Sequence, residues 1–507
     1  MFRKALRDKE TFCVNWELVP GRGFSERQQD EVIRNAEKAA RSKKIHGIGI
    51  TDNPGGTPAL AVEFAAVEIM KMGIDPLVHV ACRDKNRNEL ESLLYGLFRN
   101  GVKNLLVLSG DYPTAGGFGT AKPVFDFDPI HLLSLIGRMN EGLAYDFMGK
   151  TMTLAPTDFF CGAAVSPFKK TQAELVGQYE KLMKKIRAGA GFVVTQVGYD
   201  ARKLHELMTL LSIKKLDVPV LANIFVLTYP AARTMNAGNL PGCVVTKKLL
   251  GQIESERAAP DKGKGARIMR AAKQYAIARG MGCAGVHIGG HGIDADTVVE
   301  IIERGQEIAD DWERYVPEFD YPQEAGYYLF EKQKDGGLNS VVTSARRGSS
   351  FRPPSYLFSR MIHAVFFEPK SPVYGLMRLA ARLVDSSRIL TGIFAFIENV
   401  IKVILFECRN CGDCSLFDVA YLCPMSQCPK EERNGPCGGS TDGWCEVYPG
   451  TRECVWVRAY GRLARKGAEP TFSEDIVAPC DWALWRTSSW INYFLGRDHI
   501  GKKIQNL

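Results

Sequence analysis

Eight cysteines are concentrated near the carboxyl end of the 507-residue chain and could bind metal. The first three are spaced Cys-x₂-Cys-x₂-Cys, and proline follows both Cys423 and Cys428. Three thiolates held this close together suit the closely spaced irons of a cubane cluster. Eight ligands would be enough for two [4Fe–4S] clusters. The predicted metal ligands are Cys408, Cys411, Cys414, Cys423, Cys428, Cys437, Cys445 and Cys454.

Zinc is the main alternative for this segment. Structural Cys₄ zinc sites favour two Cys-x₂-Cys pairs separated by a spacer, and the second half of the segment has no such pair. A mixture of zinc and iron–sulfur is a third option. The other six cysteines are scattered and are interpreted as ordinary core or surface residues. They are Cys13, Cys82, Cys161, Cys243, Cys283 and Cys480.

A second set of candidate residues lies at the ends of short apolar runs in the first 300 residues. Buried strands usually end in apolar or turn residues, whereas these end in polar ones. So many polar groups at one rim require a ligand to justify their burial. The set comprises Asn15, Glu17, Thr51, Asp52, His79, Ser109, Asp111, Ser166, Gln196, Asn223, Thr228 and His287.

Two carboxyl groups in this set are the candidate catalytic residues. Glu17 has apolar neighbours, which should disfavour its charged form and raise its pKa. A carboxyl group that is protonated near neutral pH can act as a general acid. Asp111 lies in a more open Gly/Pro turn and is expected to stay ionised. Two carboxyl groups in different environments suit different roles.

The elements that must position these residues are eight short runs rich in Val, Ile and Leu, separated by amphipathic stretches. This alternation predicts a (β/α)₈ TIM barrel over residues 1–305, with its chemistry at the carboxyl ends of the strands. An open doubly wound sheet is the alternative, but no Gly-x-Gly-x-x-Gly follows the first run. The runs are Phe12–Val19, His46–Thr51, Pro76–Ala81, Asn104–Leu108, Phe159–Val165, Phe192–Val197, Val218–Val226 and Ala284–Ile288.

The rest of the chain is predicted to form three further segments. Residues 306–407 combine a polar linker, Gln333–Pro354, with an apolar helical part, residues 408–460 form the cysteine-rich domain, and residues 461–507 form a tail. The most apolar stretch, Ile389–Phe406, contains Glu398 and Lys402. A membrane span of this length is normally free of charge, so a buried or amphipathic helix is expected here.

The overall charge is a mild positive bias, with 65 basic and 57 acidic residues and a net charge of +8. This bias suits an acidic small molecule or redox partner and is no nucleic-acid footprint. Residues 1–10 lack the apolar core of a signal peptide, so a cytoplasmic location is predicted. In a reducing compartment, fourteen cysteines favour metal ligation over disulfides.

Taken in order, several segments of the first 300 residues resemble the methylenetetrahydrofolate reductase family. They are Asn15-Trp16-Glu17-Leu18-Val19-Pro20, Leu108-Ser109-Gly110-Asp111, Ala188-Gly189-Ala190, Val194-Thr195-Gln196 and Gly285-Val286-His287-Ile288. The resemblance implies a barrel that binds FAD at its strand ends and reduces 5,10-methylenetetrahydrofolate to 5-methyltetrahydrofolate. The flavin is reduced first, the donor leaves, and the folate then accepts a hydride.

The resemblance also implies roles for individual residues. Glu17 would be the acid that assists opening of the folate's five-membered ring, and Asp111 would lie near the flavin and bind the pterin. Gln196 would contact the pterin, and Tyr229 is a candidate for stacking on a nicotinamide. The expected cofactor-binding residues are Thr51, His79, Gly110, Asp111, Ala164, Ser166 and Lys185. A helical lysine facing the mouth, such as Lys185, could also pair with a diphosphate.

Some positions depart from the family pattern. Ser109 replaces an arginine that often precedes Gly-Asp in the family, which removes a cation near the flavin. The family's Tyr-Pro after the fifth strand is Ser166-Pro167 here. Two helix positions that commonly contact the cofactor are Gln178 and Lys181. The flavin contacts at these positions and the nicotinamide site are therefore open questions.

The cysteine-rich segment resembles the domain known as the methylenetetrahydrofolate reductase C-terminal domain, which in some bacteria and archaea is a separate subunit. That domain is described both as zinc-binding and as iron–sulfur. Clusters carry single electrons and a flavin delivers a hydride, so the leading hypothesis is electron relay to FAD from ferredoxin or a larger redox complex. The alternatives are an NAD(P)H-linked reductase with a zinc-containing docking module, and a flavin-free methyl-transfer barrel. An oligomer or a subunit of a complex is expected.

Overall fold

The computed structural model describes residues 1–334, 337–345, 353–464 and 471–505. Eight parallel strands form a closed barrel in chain order, with β8 pairing back to β1. The predicted (β/α)₈ barrel is confirmed, and the open sheet is wrong. The strands are β1 (Cys13–Leu18), β2 (Gly47–Ile50), β3 (Asp75–Ala81), β4 (Asn104–Leu108), β5 (Phe160–Val165), β6 (Phe192–Thr195), β7 (Val220–Phe225) and β8 (Gly285–Gly289).

Helices surround the barrel and continue through the carboxyl-terminal part of the chain. They are α1 (Phe2–Arg7), α2 (Arg27–Ser42), α3 (Val62–Lys71), α4 (Arg87–Arg99), α5 (Pro129–Glu141), α6 (Gln172–Arg187), α7 (Ala201–Ile213), α8 (Tyr229–Asn236), α9 (Lys247–Glu256), α10 (Lys264–Gly280), α11 (Ala295–Glu307), α12 (Pro354–Ile362), α13 (Tyr374–Asp385), α14 (Arg388–Phe406), α15 (Pro424–Gln427), α16 (Val455–Leu463), α17 (Thr471–Glu474), α18 (Ser489–Phe494) and α19 (His499–Gln505). A π-helical turn, His363–Phe367, follows α12, and short 3₁₀ segments are Pro54–Gly56, Ala309–Phe319 and Trp482–Leu484.

The barrel strands are buried almost without interruption, as expected when helices cover the outside and side chains fill the inside. Strand β2 consists of glycine and isoleucine, and His79 is the one polar side chain in the buried part of β3, which begins with the half-buried Asp75. Three short antiparallel hairpins lie outside the barrel. They pair Ala115–Gly116 with Gly119–Thr120, Ala144–Phe147 with Lys150–Thr153, and Phe330–Lys332 with Asn339–Thr343.

The predicted linker, Gln333–Pro354, falls partly outside the described residues. Its described part includes the strand Asn339–Thr343, which is fastened to α7. The Arg202 guanidinium donates to Asn339 Oδ1 at 2.7 Å and to the Phe330 carbonyl at 2.7 Å. This part of the chain is therefore docked on the barrel's helical shell.

The apolar stretch around position 400 forms the helix α14. Of the two expected forms, the amphipathic helix agrees with the structure and the buried helix is wrong. Its buried residues are Glu398 and Lys402, whereas Phe396 is 69% and Ile404 76% exposed. By length and composition alone α14 could cross a membrane, a test that core helices of soluble proteins also pass. The helical spacing of Glu398 and Lys402 places both residues on one side of α14, but it does not show that this side faces the rest of the protein.

Candidate active site at the barrel mouth

The candidate catalytic carboxylate, Glu17, belongs to a hydrogen-bonded row at the ends of β1 and β8. The Asn15 amide nitrogen lies 2.7 Å from His287 Nδ1, and His287 Nε2 lies 3.2 Å from Glu17 Oε2. When the Asn15 NH₂ donates to Nδ1, the imidazole proton is on Nε2 and is directed at the carboxylate. The strand register explains the row, because Asn15 is paired directly with His287 across the sheet.

His79, at the end of β3, completes a triad with Glu17 and His287. One ligand atom from each residue lies within 4.8 Å of the others. The side chains meet over Gly49 of β2, where an added Cβ would come within 2.9 Å of Asn15 Nδ2 and 3.1 Å of His287 Cε1. Glycine at this position therefore makes room for the polar groups.

The pKa of Glu17 differs from the expectation. Burial acts to raise it, but the hydrogen bond from His287 and the electrostatic attraction of the neighbouring imidazoles together outweigh burial and lower the pKa. The prediction that the pKa of Glu17 is raised is therefore wrong. His287, whose hydrogen bond helps to lower the pKa of Glu17, lies 270 residues away in the sequence. Burial also lowers the pKa of His79 to about 4, so its ring is neutral at physiological pH.

The barrel mouth presents buried polar atoms that have no hydrogen-bond partner within the described part of the chain. They include Asn15 Oδ1, Thr51 Oγ1, His79 Nε2 and Ser166 Oγ. Leaving such groups unsatisfied costs about 1–3 kcal/mol each, which a polar ligand would recover. The set therefore fits a ligand rich in hydrogen-bonding groups, as a flavin ring is.

Lys185 on α6 adds a buried cation to the same mouth. Its Nζ donates to the Ala164 carbonyl at 2.6 Å, and burial lowers the pKa of this lysine to about 7. A buried lysine with no carboxylate bonded to it favours an anionic ligand. The donor set at Thr51, His79, Ser166 and Lys185 is thus compatible with the FAD that the resemblance implies.

The cysteine-rich domain reaches into this mouth through residues 430–440. The Lys181 ammonium forms an ion pair with Glu432 at 2.5 Å and donates to the Gly435 carbonyl at 3.1 Å, with both charged side chains buried. The Gln178 amide donates to the Pro436 carbonyl at 3.1 Å. These two helix positions, whose flavin contacts were open, therefore hold the cysteine-rich domain.

The same segment contacts the end of β4. Ser109 Oγ donates a very short hydrogen bond to Glu432, and Lys430 donates to the Gly110 carbonyl at 2.7 Å. Lys430, paired with Glu446, places a cation beside Asp111. The family pattern that this chain resembles often has an arginine in place of Ser109. Here Lys430, from the cysteine-rich domain, brings a cation to the same strand end. Asp111 itself is exposed and accepts a hydrogen bond from Gly55 N at 2.9 Å.

The eight predicted metal ligands lie in two groups. The first lines one pocket together with Lys402, whose Nζ is 3.4 Å from Cys414 Sγ. In the second, burial and the neighbouring charges of Cys437 and Cys454 raise the pKa of Cys428. The first group is Cys408, Cys411, Cys414 and Cys423, and the second is Cys428, Cys437, Cys445 and Cys454. Four thiols each match the donor set of a [4Fe–4S] or a Cys₄ zinc site.

Comparison with known families agrees with this geometry. Residues 1–303 match the family model described as methylenetetrahydrofolate reductase, and residues 389–483 match the model described as methylene-tetrahydrofolate reductase C terminal. The chain belongs to the methylenetetrahydrofolate reductase family. Members of this reductase family are oxidoreductases, and the two matches cover both the barrel and the cysteine-rich part.

Individual relatives of this chain are distant. "Methylenetetrahydrofolate reductase 2" of Saccharomyces cerevisiae is 25% identical over 36% of this chain and 29% of its own length. "5,10-methylenetetrahydrofolate reductase" of Salmonella typhimurium is 27% identical over 26% of this chain and 36% of its own length. The chain thus spans about a third of the length of these curated relatives. The solved structure of a Clostridium thermocellum protein that binds 5-methyl-5,6,7,8-tetrahydrofolic acid superimposes on this chain with a TM-score of 0.42 and 11% sequence identity. The match covers 61% of this chain and all of that one, and it is too weak to support any statement on function.

Two predicted substrate residues of the barrel make other contacts here. Gln196 Oε1 accepts from Val197 N at 2.8 Å and lies 3.8 Å from Cys243 Sγ. The Tyr229 ring is covered by the Arg257 guanidinium at 4.2 Å, and its hydroxyl donates to Glu254. Their roles toward pterin and nicotinamide stay predictions.

Cys480 is a residue whose place the sequence did not reveal. It is buried beside Cys411, and the hydrogen bond between the two thiols lowers the pKa of Cys411. The spacing of the cysteines in the sequence gives no hint of this, because Cys480 lies far beyond the cluster. Cys480 is therefore a fifth thiol beside the first group, whose ligand set stays a prediction.

The buried Lys181–Glu432 pair should decide how firmly the cysteine-rich domain is attached to the barrel. We expect Lys181→Met to lower the free energy of unfolding by about 3–5 kcal/mol, because it leaves Glu432 charged, buried and without its lysine. The double variant Lys181→Met/Glu432→Leu should recover much of this loss. Thermal unfolding measures both. Lys103→Met, which breaks the exposed pair with Asp158, should cost less than about 1 kcal/mol. Equal losses for Lys181 and Lys103 would contradict the assignment.

Proposed function

We propose that this protein is a flavin-dependent oxidoreductase that converts 5,10-methylenetetrahydrofolate to 5-methyltetrahydrofolate, or runs the reverse reaction. The observation that carries the proposal is the mouth of the reductase-family barrel. It combines unsatisfied buried polar atoms, a buried lysine and a carboxylate–histidine pair at one set of strand ends. A pterin and a flavin both carry amide and ring nitrogens that would satisfy such groups.

FAD is the proposed cofactor, and bound FAD would supply the hydride. Thr51, His79 and Ser166 would offer hydrogen bonds to it, and the Lys185 ammonium would offset negative charge. Gly110 and Ala164 would contribute backbone contacts to FAD. Both lie at the mouth, where the Gly110 carbonyl accepts a hydrogen bond from Lys430 and the Ala164 carbonyl accepts one from Lys185. With Gln178 and Lys181 engaged by residues 432–436, cofactor contacts on α6 would fall mainly to Lys185.

Glu17 and His287 are the proposed proton-handling pair. His287 Nε2 faces Glu17 Oε2, and the lowered pKa of Glu17 keeps its carboxyl group ionised. Folate seated at the mouth would exclude water from Glu17, which disfavours its charge and raises its pKa, so the carboxyl group would take up a proton from solvent as folate binds. Glu17 could then protonate the folate nitrogen when the five-membered ring opens, and its carboxylate would stabilise the cationic iminium.

The cysteine-rich domain is proposed to hold two iron–sulfur clusters that supply electrons one at a time. Its supporting observation is the position of the second cysteine group. Cys437 directly follows Pro436, whose carbonyl accepts a hydrogen bond from Gln178 on α6, the helix that also carries Lys185, so this group adjoins the proposed flavin site. Ferredoxin or a larger redox complex would be the electron donor.

An anaerobic half-reaction tests the proposed function. Protein purified without oxygen is analysed for flavin, iron, sulfide and zinc, reduced with dithionite, and then mixed with 5,10-methylenetetrahydrofolate. We expect the flavin absorbance to return as 5-methyltetrahydrofolate forms. A flavin that stays reduced, or a protein that binds no flavin, would overturn the proposal.

A further inference from the structure

The three helices α12, α13 and α14, here called the helical arm (354–406), present an apolar outer face. Every exposed residue of α14 from position 389 to position 405 is apolar or glycine. The most exposed large side chains on this helix are Ile389, Phe396 and Ile404. Soluble surfaces rarely expose apolar patches this extensive without a partner.

The neighbouring helices of the arm extend this face. Phe358 and Met361 on α12 and Leu376 and Leu383 on α13 are each at least half exposed. Their inner sides pack on a small core that includes Phe367, so the arm is a folded layer. The outer face therefore belongs to an ordered surface.

The inner side of α14 is polar and fixed to the rest of the protein. Glu398 accepts from Ser489 Oγ at 2.6 Å and from Ser489 N at 3.1 Å, and the Lys402 ammonium donates to Ser489 Oγ at 2.6 Å. Lys402 also contacts Cys414 of the first cysteine group. Because these contacts hold the helix along its flank, α14 can meet a surface side-on but cannot span a bilayer.

The rim of the apolar face is positively charged. Four cations in the arm are strongly exposed: Arg360, Lys370, Arg382 and Arg388. Of the arm's three acids, Glu398 is buried and Asp385 is paired with Arg497, which leaves Glu368 exposed. An apolar face bordered by lysine and arginine is the pattern of helices that lie in the interface of an anionic membrane.

We propose that the helical arm docks this protein on the surface of an anionic lipid bilayer, with α14 lying in the plane of the interface. A second copy fits less well, because a two-fold contact would set the basic rim against itself. A protein partner would need hydrogen bonds at roughly one per 100–200 Å², and α14 offers no exposed polar side chain between 389 and 405. The acyl region of a membrane, in contrast, requires no hydrogen bonds from the protein.

Vesicle flotation of the full-length protein tests the proposal. Vesicles of phosphatidylcholine alone are compared with vesicles that also contain about 30% phosphatidylglycerol, because a negatively charged bilayer surface attracts basic segments. We expect the protein to float with the anionic vesicles and the bound fraction to fall as salt is raised. Equal partition into both vesicles would contradict the selection of anionic lipid.

Matched variants locate the contact. Phe396→Glu and Ile404→Glu should each reduce partition about tenfold or more, because each puts a charge into the acyl boundary. Val341→Glu, at a site 72% exposed on the hairpin strand Asn339–Thr343, should bind like the parent protein. Arg382→Glu with Arg388→Glu should weaken binding to anionic vesicles only. Circular dichroism confirms that each variant is folded.

Two results would overturn the membrane assignment. The first is a protein that stays in the aqueous fraction with both vesicles. The second is a dimer in sedimentation analysis that Ile404→Glu converts to monomers without any vesicle binding, which would assign the face to a second copy. Loss of vesicle binding by Val341→Glu to the same degree as by Ile404→Glu would equally contradict the proposed contact face.

Discussion

Replacing Glu17 by glutamine should separate the two halves of the proposed reaction. In Glu17→Gln, reduction of the flavin should proceed at its normal rate, while transfer to 5,10-methylenetetrahydrofolate should fall by about 10²–10⁴-fold. The amide keeps the shape of the side chain and can still accept a hydrogen bond from His287, but it cannot take up a proton and pass it to the folate nitrogen. Stopped-flow absorbance of the flavin measures both halves on one protein.

The matched control is Glu68→Gln, which makes the same chemical change at an exposed position of α3 on the outside of the barrel. It should leave both half-reactions unchanged. A proton-handling role also predicts that the pH profile of folate reduction is lost in Glu17→Gln. If flavin reduction and folate reduction fall equally, Glu17 is a structural residue of the mouth and the proton assignment is wrong.

The barrel and the meeting of Glu17, His79 and His287 were predictable for one physical reason. Parallel strands buried on both faces appear as short Val/Ile/Leu runs, and the carboxyl ends of such strands converge. Each of the eight predicted runs overlaps one strand of the barrel. The strand ends therefore bring these three side chains together although they are far apart in sequence.

The features that the sequence did not disclose all depend on partners from distant parts of the chain. Glu17 has a lowered pKa because His287 bonds to it, whereas its sequence neighbours are apolar. Lys181 finds its partner Glu432 at a separation of 251 residues. In α14, spacing places Glu398 and Lys402 on one stripe, but only the contact with Ser489 shows that this stripe faces inward. The local sequence pattern predicts which segments form strands and helices. Contacts between distant residues decide the pKa of a buried group and which side of a helix faces the protein.

Loss of Cys437 should distinguish electron relay from docking as the task of the cysteine-rich domain. We expect Cys437→Ala to remove the metal of the second group and to slow flavin reduction by reduced ferredoxin by about 10²-fold or more, because a cubane normally needs all four of its thiolates. Direct reduction of the flavin by dithionite should persist, since Thr51, Ser166 and Lys185 are untouched. Iron content, electron paramagnetic resonance and anaerobic stopped-flow absorbance provide the measurements.

The control is Cys283→Ala, which removes a buried thiol outside both groups and should preserve ferredoxin-dependent reduction. Zinc in place of iron, with NADH reducing the flavin equally fast in the parent protein and in Cys437→Ala, would show that the domain serves as a docking module. The position of Cys437 favours relay over docking for a physical reason. A purely structural metal gains nothing from lying beside the proposed flavin site, whereas Cys437 directly follows Pro436, which is hydrogen-bonded to Gln178 on the same helix as Lys185.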